Sequence, residues 1–126
     1  MKPLAAGKWY TRMIGVFFVL VVFSLIADFA KFGLRPETMH KLFHVLLGIA
    51  VIRLGWNSAA WWRVFPLVNG AFFAYIALFG LLFTNFGDLD TFNFTDTMLH
   101  TFVGIFGVLT GLLALKNSEP STQHEL

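Results

Sequence analysis

Three histidines and an aspartate occupy two matched settings in this chain. One segment reads His40-Lys-Leu-Phe-His44-Val-Leu-Leu-Gly48-Ile, the other Asp96-Thr-Met-Leu-His100-Thr-Phe-Val-Gly104-Ile. In each, an ionisable residue stands four positions before a histidine and a glycine four positions after it. On a helix that spacing stacks all three on one face. Imidazole nitrogens and carboxylate oxygens are ligands for zinc, copper, iron or manganese, so His40, His44, Asp96 and His100 form a candidate metal set. Facing histidines across a helical bundle can also ligate a haem, which makes His44 and His100 a candidate axial pair. Gly48 and Gly104, one turn further on, leave room for a flat macrocycle or for close helix contact. The same residues have a plainer use. Histidines near a helix start often only hydrogen-bond to neighbours, and His40 on such a face can point to water. Asp96 suits a helix first turn and can hold His100 by an i,i+4 contact. Gly48, Gly104, Gly107 and Gly111 suit helix packing.

The elements that must carry these residues are membrane helices. The chain has 126 residues, 57% hydrophobic and 13% charged, with a mean hydropathy of +0.72. Soluble domains carry about twice that share of charge. A bilayer span takes about 20 mostly apolar residues. Four stretches qualify, at about 13–32, 40–55, 59–83 and 98–115, the second needing Met39 and Trp56 to reach across. Pro66, early in the third, is tolerable in a membrane helix. The first stretch has a basic start but no small-x-small site after it, because Ala27-Asp28-Phe29-Ala30 puts Asp28 at the required small position, so it reads as a retained span. With no cysteine, disulfides, thiolate metal sites and iron–sulfur ligation are excluded.

The expected architecture is an all-α membrane protein with residues 1–116 as one four-helix transmembrane domain. Lysine and arginine counts set the orientation. With the amino terminus inside, Lys2, Lys8, Arg12, Arg53, Arg63 and Lys116 are inside, and only Lys31, Arg35 and Lys41 outside. Both termini then face the cytoplasm, and Trp9, Trp56, Trp61 and Trp62 form an inner aromatic belt. Residues 117–126, with His124, read as a disordered cytoplasmic tail. The net charge of +2 follows from this asymmetry and gives no nucleic-acid signal. An internal duplication is also expected, with repeats at about 10–56 and 59–115. Phe29-Ala-Lys-Phe32-Gly33 matches Phe83-Thr-Asn-Phe86-Gly87, and the histidine–glycine segments follow with a second outer loop two residues longer. Two spans per repeat require parallel copies, related by an axis along the membrane normal. Asp28, near the outer end of the first span, is expected to pair with Lys31, and Asn69 to make an interhelical hydrogen bond.

The run from Phe32-Gly-Leu-Arg-Pro36 through His40, His44 and Gly48, with Asp96, His100 and Gly104 in the last span, resembles the domain-of-unknown-function 4383 family. The resemblance implies a small four-span protein of the bacterial inner membrane and carries no settled activity with it. Met39 departs from the leucine usual in that family, and the second outer loop is richer in phenylalanine.

No nucleophile–base pair, phosphate-binding glycine loop or nucleotide motif is present, and the short loops leave little room for catalysis outside the bilayer. An enzyme is less expected than a binding protein. Three functions remain open. One is a membrane protein with a histidine site near its outer face for a metal, haem or small ligand. A second is an accessory subunit, or a homo-oligomer, packing into a larger photosynthetic or respiratory membrane complex. The third is a haem- or metal-dependent membrane oxidoreductase.

Overall fold

The computed structural model describes residues 2–116, so the expectations for the tail and His124 lie outside the described residues. Four helices follow in order: α1 (Pro3–Phe32), α2 (Pro36–Gly55), α3 (Ala59–Leu82) and α4 (Phe94–Lys116). Each is long and apolar enough to cross a membrane, which makes the chain an all-helical, multi-pass membrane protein.

Local chemistry sets the helix boundaries. Prolines open α1 and α2 at Pro3 and Pro36, where a missing N–H costs nothing. Ser58 caps α3 by accepting from Trp61 N, and Asn93 Oδ1 accepts from Asp96 N at the start of α4. α1, α2 and α4 therefore begin ahead of their apolar stretches, while α3 begins with its own. The difference is largest for α1, which starts at Pro3 rather than Met13, because Ala5, Ala6 and the residues around them extend the helix beyond its apolar stretch. Gly33 ends α1 at φ +71°, a conformation that favours glycine. Pro66 lies inside α3 without dividing it.

α1 and α2 form one antiparallel hairpin, α3 and α4 the other, and α1 packs against both helices of the second. Glycines bring the backbones together. A Cβ on Gly48 would lie 2.8 Å from Val19 N and 2.9 Å from Gly15 O, and one on Gly104 would lie 2.6 Å from Ala74 N. Gly15 abuts Val51 and Ile52, while Gly70 abuts Gly107 and Val108. The core between the hairpins is Tyr10, Ile14, Phe18 and Phe73, with Leu47, Phe65 and Val103 against it. Tyr10 Oη donates to Val103 O at 2.9 Å and accepts from Asn69 Nδ2 at 2.8 Å, so Asn69 does join two helices. Large apolar side chains such as Phe23, Leu46, Tyr75 and Phe102 face outward, as a lipid-facing surface requires.

The end of the bundle with the α2–α3 turn is stitched by cations on indoles. Arg12 Nε donates to Trp56 O at 3.0 Å, satisfying a carbonyl at the end of α2. Its guanidinium lies 4.9 Å from the Trp56 ring centre, and Lys8 lies 5.4 Å from that of Trp62.

Candidate metal centre

At the opposite end, where α1 turns into α2 and α3 into α4, the first three turns of α2 and first two of α4 carry the four candidate residues to one cavity of about 190 Å³. His40, His44, Asp96 and His100 all line it, together with Phe18, Phe73, Lys41 and Asp90. His44 and His100 are only 8% and 6% exposed. Phe73 packs against both, its ring centre 5.7 Å from that of His44 and 5.2 Å from that of His100, and Phe18 packs on His44 at 4.7 Å. These phenyl rings form part of the cavity wall.

The imidazoles converge. One ring nitrogen from each of His40, His44 and His100 lies within 4.8 Å of the others. His40 Nε2 is 2.9 Å from His44 Nε2. A second donor set, of His40 with the carboxylates of Asp90 and Asp96, meets the same 4.8 Å limit. Zinc–nitrogen bonds run about 2.0–2.1 Å, so ligands around one ion stand roughly 3.3 Å apart, within reach of small side-chain rotations here. His44 Nδ1 and His100 Nδ1 are buried without a hydrogen-bond partner.

Four expectations need revision. Asp28 pairs with Lys41 on α2 rather than Lys31, because Lys31 lies over the Phe32 ring at 5.1 Å instead. His40 does not face water: it is engaged on both sides, with Asp90 Oδ1 3.1 Å from its Nδ1. Asp96 makes no hydrogen bond to His100; its backbone N–H is taken by Asn93, and its carboxylate faces the cavity. Gly48 and Gly104 are filled by the backbones of α1 and α3, which leaves no slot for a macrocycle beside them.

Asp90 is the site residue that sequence reading missed. It lies on the α3–α4 connection, in the second of two short 3₁₀ turns, Phe86–Asp88 and Asp90–Phe92. Asn85 and Asp88 adopt positive φ there, and Asn85 N donates to Phe92 O at 2.9 Å. Phe92 and Phe86 both pack on Phe79, at 4.9 and 5.4 Å between ring centres, anchoring the loop to α3. The only sequence signals were the two extra residues and the added phenylalanines of this loop.

No family model, curated protein or solved structure matches the chain.

Proposed function

We propose that this is a membrane protein that binds a transition-metal ion between its two helical hairpins, with His40, His44 and His100 as nitrogen ligands. One observation carries the reading: two imidazoles more than nine-tenths buried, each with an unpartnered nitrogen, meet a third at one small cavity. The donor set of nitrogen and oxygen with no thiolate suits zinc, iron, manganese or copper(II). A cavity of about 190 Å³ accommodates an ion and its water, whereas pockets for drug-sized ligands run to about 300–1,000 Å³. A haem held by His44 and His100 is therefore the weaker reading. So is an accessory subunit that docks through small residues, because Gly48, Gly70, Gly104, Gly107 and Gly111 are spent on contacts inside the bundle.

Two features of the setting belong to the same proposal. The hairpins are copies: Gly15 and Gly70 are 55 residues apart, and Val51–Ile52 and Gly107–Val108, which they abut, are 56 apart. Gly48 on Val19 and Gly104 on Ala74 repeat the relation. His44 and His100 are then equivalent, as are His40 and Asp96. The site faces the outside of a bacterial inner membrane, because the end bearing the amino terminus and the α2–α3 turn holds the larger share of lysine and arginine. The resemblance to the domain-of-unknown-function 4383 family rests on these residues too.

The test is elemental analysis and a visible spectrum of detergent-purified protein, with zinc and cobalt(II) titrations, wild type beside His44→Ala/His100→Ala. About one ion per chain in the wild type and none in the variant is expected. A wild type that binds no metal, or a variant that binds as much, overturns the reading.

A further inference from the structure

We infer that the centre is mononuclear and divalent, with His40 binding through Nε2 while Asp90 holds its Nδ1–H, and with Asp96 supplying the oxygen donor. This rests on the metal-binding reading above and assigns a role to each nitrogen and each acid.

The assignment starts from His40, whose two ring nitrogens face different groups. Nδ1 lies 3.1 Å from Asp90 Oδ1, and Nε2 lies 2.9 Å from His44 Nε2. An ionised carboxylate only accepts hydrogen bonds, so Nδ1 of His40 carries the proton. The neutral ring then presents a lone pair at Nε2, on the side of His44 and His100. A carboxylate that grips the far N–H of a metal-binding histidine fixes its tautomer and orientation and strengthens it as a ligand. The same logic runs one ring further. His40 Nε2, as an acceptor, takes the His44 Nε2–H, which leaves His44 Nδ1 as a bare lone pair; that atom is the buried, unpartnered one. An ion between the rings replaces this hydrogen bond, with the His44 proton relocating to Nδ1 of the same ring.

Charge sets the valence. Two carboxylates, Asp90 and Asp96, form the second donor set with His40, the histidine it shares with the first. The other charge lining the cavity, Lys41, is cancelled by its partner Asp28. A dication is neutralised by the two acids, whereas a monovalent or trivalent ion leaves a net charge in a largely apolar chamber, which is costly at membrane depth. Asp96 shares the face of α4 with His100, one turn away, and meets the three-imidazole set through His40, the residue common to both donor sets, so a side-chain rotation brings it to the coordination shell. Asp90 is committed to Nδ1 and acts through His40 as a positioning residue.

The experiment measures cobalt(II) and zinc stoichiometry, affinity and the cobalt visible band in full-length protein for wild type, Asp90→Asn, Asp96→Asn and Asp88→Asn. The expected wild type binds one ion. Asp90→Asn keeps an acceptor for the Nδ1–H but loses the charge, and should still bind one ion, about 10–100-fold more weakly, with a shifted band. Asp96→Asn should change the band more strongly, since a ligand is altered. Asp88→Asn, on the exposed part of the same loop, should match wild type in all three readouts. Two ions in the wild type with one lost in Asp90→Asn would make Asp90 a ligand of a second ion and overturn the inference while leaving the histidine site intact. Unchanged affinity and spectrum in Asp90→Asn, or an equal loss in Asp88→Asn, overturns it too. No metal in the wild type overturns the metal-binding reading itself.

Discussion

Replacing Gly104 by alanine separates a helix contact from a cofactor slot. The added methyl would stand 2.6 Å from Ala74 N, 2.8 Å from Ala74 Cα and 3.0 Å from Ala74 Cβ. Two of those atoms are backbone, so no side-chain rotation relieves them. Ordinary contact is about 3.5 Å, which requires α4 to retreat from α3 by roughly 0.9 Å. Overpacking of this kind costs about 1–3 kcal/mol. The better helix propensity of alanine returns up to about 1 kcal/mol. A net loss on the order of 1–2 kcal/mol is expected in reversible unfolding by denaturing detergent. The retreat carries His100, one turn away, with it. Metal sites tolerate ligand displacements of about 0.2 Å, so zinc affinity should fall roughly 10-fold or more alongside stability. Gly48→Ala, against Val19 N and Gly15 O, should behave alike. If Gly104→Ala is as stable as wild type or more so, with zinc affinity intact, the methyl has filled free space, and the packing argument is wrong.

Tyr10→Phe removes a hydroxyl that bridges Asn69 Nδ2 and Val103 O; the stranded groups should cost about 1–3 kcal/mol in the same unfolding assay, and a double mutant with Asn69→Leu should recover part of it. Because the chain has no native cysteine, single cysteines at Ser58 and Asp88 report orientation directly. An impermeant maleimide on intact bacterial cells should label the Asp88 position and spare Ser58, and the opposite pattern would reverse the orientation.

Long apolar runs made the four spans legible, since nothing else in water-soluble chains supplies so many uncharged residues in succession. The starts of α1, α2 and α4 were less legible, because Pro3, Pro36 and Asn93 act through backbone geometry that hydropathy does not register. His40, His44, Asp96 and His100 were readable because four-residue spacing on a helix is a local property. Asp90 was not, since it meets His40 across 50 residues through a non-periodic loop. Asp28 shows the same limit: a near neighbour, Lys31, looked sufficient, and the partner that forms the pair lies on the next helix.

The backbones of α2 and α4 scarcely meet. What passes between these helices at this end is imidazole, with the His44 and His100 ring centres 6.2 Å apart. An ion held by α2 and α4 together would thus be a clasp between the two hairpins. Its removal would loosen one seam while the glycine-packed interior of each hairpin stays shut.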